Sequence, residues 1–339
     1  MDGTVSGCMT TLVIGDGAAG ATAAHICLDA TVVGDGDGGT GRLATRAREA
    51  TTYDIGTTCI PDRGDERSTL VREVLAEDCV SFEGRVDSLG EATHGGMGYR
   101  RLTGRRGLQG VVDRLLAAEH CDHRPDTTVE RLERTDDGWR AHTTEGVIDA
   151  ERVVTATDAD RTASLLTESE PLGTDVRREA EQVEHRTVDS VVLSYEHAVD
   201  RDWYALAAPG DDHDVRWLSR ESAKPGHVPP GHEALVLRLG DDWATGHDPD
   251  AAVEQARTAA ARLLDDDRLL DPAWTDHERY QYARPGHRVD PVLVERAAAS
   301  DCYLAGDWVA GTTRTFAPLE TGLDAGRRAM GFAQQVALQ

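Results

Sequence analysis

Residues 11–20 read TLVIGDGAAG, and this stretch decides the fold class. The apolar and β-branched run at 11–14 predicts a buried strand, and the glycines that follow predict a tight turn. The small residues at 21–28 predict a helix, and a second short strand is predicted at 31–33. Strand, glycine turn, helix and second strand in this order predict a dinucleotide-binding α/β unit rather than a flexible glycine-rich loop.

The glycines have distinct roles in such a unit. Gly15 permits the turn, Gly17 lets a pyrophosphate approach the backbone, and Gly20 lets the helix pack closely on the strand. Ala18 and Ala19 lie at the start of the helix, where free N–H groups and the helix dipole favour phosphate. The sequence has 34 glycines, so a chance match is the alternative.

An acidic residue is expected about 20 residues after the first glycine, where it would bind a ribose hydroxyl. Asp35 has this spacing and is the predicted ribose ligand. Asp37 is close by, and acids are abundant in the chain, so the spacing alone is a weak signal.

Two further segments indicate a flavin rather than a nicotinamide cofactor. Residues 38–46 read GGTGRLATR, and an arginine that follows glycines can pair with a pyrophosphate. Residues 301–308 read DCYLAGDW and precede a small-residue helix predicted at about 319–330. This second strand, turn and helix would place Asp307 near the ribityl and phosphate groups.

The sequence resembles the renalase-like branch of the FAD-dependent amine oxidase superfamily over nearly its whole length. The resemblance lies in GRLATR, in the DIG segment at 54–56, in GLQGVV at 107–112, in DGWR at 137–140, in WLSRESAKPG at 217–226, in RYQYARP at 279–285 and in AGDW at 305–308. It implies FAD as cofactor. The FAD-binding residues carried over by these motifs and by the helix that follows them are Gly41, Arg42, Thr45, Asp54, Gly56, Gly306, Asp307 and Thr321. The backbone at Val129 is expected to contact the adenine.

Four positions depart from the family pattern. Gly34 stands where an acid usually follows the second strand, so Asp35 must replace it from one position later. Thr40 replaces the first glycine of a Gly-Gly-Arg loop, Glu278 replaces a histidine, and Phe316 replaces a glutamate. FAD binding is expected to survive these changes, and they leave the substrate open.

The same landmarks predict the architecture. The fold class is α/β, with a Rossmann-like FAD-binding domain and a second, sheet-based substrate domain, as in flavin amine oxidases and p-hydroxybenzoate hydroxylase. The FAD-binding domain is predicted over 1–60, 103–165 and 286–339, with strands at Thr11, Thr31, Val129, Arg152 and Cys302. The substrate domain is predicted over 61–102 and 166–285, with strands at 191–195 and 234–239 and a helix at 251–264.

Composition limits the partners. There are 61 Asp and Glu against 36 Lys and Arg, so the net charge is −25, and Lys224 is the single lysine. Such a surface suits concentrated salt, and it disfavours nucleic acid, which requires clustered basic charge. The N-terminus has no signal-peptide pattern, no apolar run is long enough to span a membrane, and the scattered cysteines have no zinc spacing, so a cytoplasmic protein without metal is expected.

The predicted chemistry is that of a flavin that accepts hydride from a small reduced substrate. By resemblance this substrate is an NAD(P)H-related dihydronicotinamide isomer, and dioxygen is the expected electron acceptor. Lys224 and Tyr282 are the candidate catalytic residues, and the candidate substrate ligands are Arg279, Tyr280 and Arg284. An amine or isoprenoid flavin oxidoreductase and a non-catalytic dinucleotide-binding protein are the alternatives, and the oligomeric state is left open.

Overall fold

The computed structural model describes residues 10–35, 41–88, 99–208, 213–283, 288–311 and 316–332. Its strands, in chain order, are β1 (Thr11–Ile14), β2 (Ala30–Val33), β3 (Thr45–Arg48), β4 (Thr51–Asp54), β5 (Ile60–Pro61), β6 (Cys79–Gly84), β7 (Val86–Ser88), β8 (Tyr99–Gly104), β9 (Cys121–Arg124), β10 (Val129–Thr135), β11 (Gly138–Thr143), β12 (Gly146–Ala150), β13 (Arg152–Thr155), β14 (His185–Tyr195), β15 (Ala205–Ala207), β16 (Val215–Arg220), β17 (Glu233–Leu239), β18 (Trp274–Ala283) and β19 (Cys302–Leu304).

The α-helices, in chain order, are α1 (Ala18–Ile26), α2 (Glu66–Leu75), α3 (Gln109–Leu116), α4 (Ala159–Leu165), α5 (Leu172–Ala180), α6 (Asp241–Gly246), α7 (Ala252–Leu264), α8 (Pro291–Ala298), α9 (Asp307–Ala310) and α10 (Ala317–Ala329). The chain divides into two compact units. The first contains residues 1–38, 112–184 and 283–339, and the second contains residues 39–111 and 185–282.

The first unit is built on a parallel sheet with the strand order β19-β13-β1-β2-β9. β1 pairs with β13 on one side and with β2 on the other, and all four residues of β1 are buried because the sheet is covered on both faces. The order reverses beside β1, which makes its carboxyl end the switch point where α/β sheets bind ligands. The predicted strands at Thr11, Thr31, Arg152 and Cys302 are confirmed.

The strand predicted at Val129 belongs to a different sheet. β10 pairs with β11 in an antiparallel sheet of β10, β11 and β12, and the fifth parallel strand is β9. Sequence analysis missed β9 because its residues, Cys121–Arg124, alternate between half-buried and exposed and lack an apolar run. The fold class is nevertheless the predicted one.

Helices α1 and α10 pack closely in the first unit. Gly322 allows this contact, since a Cβ there would lie 2.3 Å from the carbonyl oxygen of Ala19. The helix predicted at about 319–330 is confirmed as α10. Its small residues allow it to pack closely on α1.

The second unit contains a six-stranded sheet in the order β18-β14-β17-β16-β15-β7. The strands predicted at 191–195 and 234–239 form parts of β14 and β17, which pair antiparallel. One face of the sheet packs on α6 and α7 through residues such as Val191 and Leu264, and the other packs on the β3–β4 hairpin through Tyr53 and Val192. The alternation along β14 sends its odd and even residues to these two faces.

Residues 39–60 and 103–111, which the sequence assigns to the FAD-binding domain, lie in the second compact unit. The predicted domain boundaries concern cofactor binding rather than compactness, so they stay a prediction. Among the described residues, no helix combines the length and the hydropathy that a membrane span requires.

Candidate functional site

The turn between β1 and α1 depends on two glycines. Gly15 has φ +104°, and its N–H donates to the carbonyl oxygen of Val33 at 2.8 Å. A Cβ at Gly15 would lie 2.7 Å from the carbonyl oxygen of Ala156, and a Cβ at Gly20 would lie 1.8 Å from that of Gly15. Both positions therefore exclude any larger residue, as the motif predicts.

Gly17 differs from these two glycines because its Cα faces open space. A Cβ built there meets no described atom within 4 Å. No described side chain caps the N-terminus of α1, and the first N–H groups of a helix have no partner within it. This backbone, including Ala18 and Ala19, fits the pyrophosphate of a dinucleotide, since it offers donors, a partial positive charge and close approach.

The turn after β19 lies at the same edge of the parallel sheet. Gly306 has φ +122°, and its N–H donates to the hydroxyl of Thr321 on α10 at 3.0 Å. A Cβ at Gly306 would lie 3.3 Å from the carbonyl oxygen of Thr157, which follows β13. Asp307 comes next and begins α9. The structure thus places Gly306, Asp307 and Thr321 together, at the edge that carries the β1–α1 turn.

Asp35 and Val129 have contrasting positions in the first unit. Asp35 is exposed, two residues after the end of β2, and stays a predicted ribose ligand. Val129 is buried, and its carbonyl oxygen accepts a hydrogen bond from the Arg161 guanidinium. The Val129 backbone stays a predicted contact of the cofactor's adenine, and its carbonyl oxygen already accepts from Arg161.

Sequence analysis missed Asp16, in the turn after β1, and His123, on β9, whose side chains meet beside Gly34 at the end of β2. The Asp16 carboxylate is next to Gly34, and the Nε2 atom of His123 lies 3.2 Å from Asp16 Oδ2. The sequence does contain a signal for this pair. The glycine motif includes an acid, Asp16, and a glycine, Gly34, stands where an acid usually follows the second strand.

The second unit contains the remaining predicted cofactor residues. The carbonyl oxygen of Arg42 accepts from the N–H of Thr57 at 2.7 Å, and the Arg42 guanidinium donates to the carbonyl oxygen of Gln281 at 3.1 Å. A Cβ at Gly56 would lie 2.7 Å from the Arg42 carbonyl oxygen, while a Cβ at Gly41 meets no described atom. Gly56 therefore supports the backbone of the Gly41–Arg42 loop, and Gly41 leaves that loop open to an approaching group.

Behind this loop lies a fully buried cluster of charged residues, formed by Asp54, Glu221, Lys224 and His227, which we call the ion cluster. Lys224 Nζ lies 2.7 Å from the Asp54 carboxylate and 2.8 Å from the Glu221 carboxylate. The Asp54 carboxylate also accepts from the hydroxyls of Thr45 and Thr103, at 2.6 and 3.1 Å, and from the N–H of Leu108 at 2.8 Å.

Histidine 227 completes the charge balance of the ion cluster. Its Nδ1 atom lies 3.0 Å from the Glu221 carboxylate, and its Nε2 atom lies 2.9 Å from the carbonyl oxygen of Gly104. Both partners only accept, so both ring nitrogens donate and the ring is an imidazolium. Two carboxylates and two cations then leave the cluster neutral.

The pKa values in the ion cluster follow from this pairing. Burial by itself raises the pKa of Asp54, but the Lys224 ammonium and His227 outweigh burial and hold that pKa below its usual range. Burial lowers the pKa of Lys224, and the two carboxylates more than offset it, so its pKa is raised. Burial disfavours the charged form of His227, but Glu221 favours that form more strongly. The pKa of His227 is therefore raised above its ordinary value.

This environment bears on three predicted site residues, whose roles stay predictions. Lys224 is 1% exposed, so it is not a surface lysine. Asp54 and Thr45 bond to each other and to protein donors rather than facing outward. Asp54, Glu221 and His227 present ligand atoms within 4.8 Å of one another, as a metal site would, and the Lys224 ammonium supplies the positive charge between the two carboxylates.

The predicted substrate residues lie on or beside β18. Arg279 pairs through two nitrogens with the buried Asp189, at 2.9 and 2.8 Å, and Glu278 pairs with Arg46 of the β3–β4 hairpin. Neighbouring residues of a strand point to opposite faces, so Tyr280 shares the hairpin face with Glu278, whereas Arg279 points to the other face. The structure therefore separates Arg279 from Tyr280. The side chain of Tyr282, and Arg284 altogether, lie outside the described residues.

Comparisons with known proteins place the chain in a large group of flavoenzyme folds. The model of the family described as flavin containing amine oxidoreductase matches residues 41–329. Similar solved structures are a putative protoporphyrinogen oxidase from Exiguobacterium sp. 255-15 (13% identity, TM-score 0.76, 95% of this chain and 98% of that chain), cyclohexylamine oxidase from Brevibacterium oxydans (12%, 0.72, 96% and 99%) and reduced UDP-galactopyranose mutase (11%, 0.72, 96% and 96%). A search of curated proteins gave no match. The structures are named for three different reactions, so at these identities they show the fold alone.

Proposed function

The chain belongs to the family of flavin-containing amine oxidoreductases and is an FAD-dependent oxidoreductase; on this premise we propose that it oxidises a small reduced substrate and passes the electrons to dioxygen. The substrate that we propose is a dihydronicotinamide isomer. When bound, FAD supplies a hydride acceptor at N5 of its ring system. The protein supplies binding, orientation and exclusion of water.

The observation that carries the proposal is the open backbone of the β1–α1 turn. It combines φ +104° at Gly15 with free space at Gly17. We assign the pyrophosphate to Gly17, Ala18 and Ala19. Gly41 and Arg42 are proposed as further pyrophosphate ligands, and Asp307 as a ligand near the ribityl chain.

The proposed substrate rests on sequence resemblance in the second unit. The stretches at 217–226 and 279–285 are those that most resemble the renalase-like branch. Tyr280 lies on the hairpin face of the six-stranded sheet, where we propose that it helps to wall the ring system. Lys224 acts in this proposal through the ion cluster, by holding β4 and the Gly41–Arg42 loop in place.

Oxidation of an amine is the second candidate, and the match to an amine oxidoreductase family favours it. In either reaction bound FAD would supply the acceptor for hydride from the donor, and dioxygen together with one proton would then take up that hydride as hydrogen peroxide. The two candidates differ in the donor and not in the cofactor.

Anaerobic reduction of the purified FAD-loaded protein separates these candidates. Loss of flavin absorbance with dihydronicotinamide isomers, followed by one equivalent of hydrogen peroxide on admission of air, is the expected result. Bleaching by primary amines alone would assign the second reaction. Peroxide that fails to appear on reoxidation would contradict dioxygen as acceptor.

A further inference from the structure

We propose that Asp16, oriented by His123, binds the adenosine ribose hydroxyls of FAD in place of the acid that this chain lacks at position 34. The inference concerns cofactor recognition in the first unit. It rests on FAD as the cofactor and is independent of the proposed substrate.

The Asp16 carboxylate occupies the place of a side chain at position 34. A Cβ built on Gly34 would lie 2.1 Å from Asp16 Cγ and 2.2 and 2.4 Å from its two oxygens. Contacts this short are impossible, so an acid at 34 and the observed Asp16 exclude each other. The carboxylate thus comes from the glycine turn rather than from the end of β2, and it lies where a side chain at position 34 would begin.

His123 holds this carboxylate in one orientation. It lies on β9, where its backbone pairs with Val32, and its Nε2 atom lies 3.2 Å from Asp16 Oδ2. The Asp16 side chain is 16% exposed and that of His123 is 25% exposed, so the pair is sheltered yet reachable. A carboxylate has about four acceptor sites, and His123 takes one, so capacity for hydroxyl donors remains.

The chemistry of a carboxylate selects a ribose hydroxyl as its ligand. A carboxylate only accepts hydrogen bonds and repels phosphate, so beside a phosphate-binding turn it suits the donor hydroxyls of the adjoining sugar. It would disfavour a ribose that carries a 2′-phosphate. Asp35, the ligand predicted from spacing, is exposed on the strand's continuation and is the competing candidate.

The test compares the FAD dissociation constants of Asp16→Asn and of its matched control, Asp35→Asn, by titration of the apoprotein. Asp16→Asn should weaken FAD at least tenfold, because a hydrogen bond to a charged group is lost, and Asp35→Asn should change affinity less than twofold. The reverse ranking would assign the ribose to Asp35 and overturn the proposal. Equal, small effects would overturn it as well.

Two further arms keep the proposal testable if a single variant folds poorly. Wild-type protein should bind a 2′-deoxyadenosine analogue of FAD more weakly than FAD, and Asp16→Asn should bind both about equally; a wild-type protein that does not distinguish them contradicts the proposal.

Gly34→Glu alone should lose FAD affinity through the clash, whereas Asp16→Ala with Gly34→Glu should regain most of it. Failure of this double variant to exceed Asp16→Ala would also count against the proposal. Since all readouts are affinities, they stand whichever substrate is oxidised.

Discussion

At the scale of single residues, burial decides whether the lone Lys224 is interpreted as a functional cation or as part of a buried ion cluster. A lone lysine in a chain of arginines suggests a retained functional cation. The structure encloses its ammonium between the Asp54 and Glu221 carboxylates. A compact ammonium with three donors suits this position, whereas a planar guanidinium does not.

We predict that Lys224→Met lowers the free energy of unfolding by about 3–5 kcal/mol, since it leaves two buried carboxylates and one imidazolium. Chemical denaturation measures the difference, and Arg262→Met, at an exposed position of α7, is the matched control. A variant with wild-type stability and slow flavin reduction would instead restore a catalytic role for Lys224.

The ion cluster also predicts a pH dependence of stability. The pKa of His227 is raised in the folded protein, so its contribution is complete below the ordinary value of about 6.5 and is lost as pH rises through the raised value. Wild-type protein should therefore lose thermal stability from about pH 6.5 upward. His227→Gln should remove this loss, while the exposed control His232→Gln should retain it; identical slopes in all three proteins would refute the assignment.

At the scale of elements, the β1–α1 unit separates glycines needed for folding from a glycine needed for binding. Gly17 has φ −72° and open space at its Cβ position, so a side chain is tolerated by the fold but stands where a pyrophosphate approaches. We predict that Gly17→Val abolishes FAD binding and leaves the unfolding temperature of the apoprotein nearly unchanged. Gly20→Ala, by contrast, should prevent folding because its Cβ would meet the Gly15 carbonyl oxygen. Full flavin absorbance in Gly17→Val would contradict the assignment of this turn.

The elements also show what sequence can and cannot supply. β1, β17 and the 191–195 part of β14 are buried and largely apolar, so their composition predicts them. β9 is half exposed and owes its place to pairing with β2, which no local pattern records. The glycines of the β1–α1 turn can be predicted from sequence because the backbone geometry of such a turn excludes larger residues. The ion cluster and the Asp16–His123 pair join residues far apart in the sequence, so only the folded chain brings them together.

At the scale of the whole molecule, charge sets the conditions for stability. Surface ion pairs such as Arg140 with Asp149 contribute little to stability, and salt weakens that contribution. The net charge of −25 produces repulsion over the whole surface, which salt relieves. These two effects of salt have opposite signs.

We predict that the repulsion dominates and that the unfolding temperature rises steeply as potassium chloride increases from about 0.1 M to several molar. The Debye length falls from about 10 Å at 0.1 M to about 3 Å at 1 M, so carboxylates without an arginine partner cease to repel, while close pairs keep part of their attraction. Sucrose at matched water activity is the control, because it favours compact states without screening charge. An unfolding temperature that stays flat or falls with potassium chloride would mean that the ion pairs outweigh the repulsion, and the adaptation to concentrated salt would then be refuted.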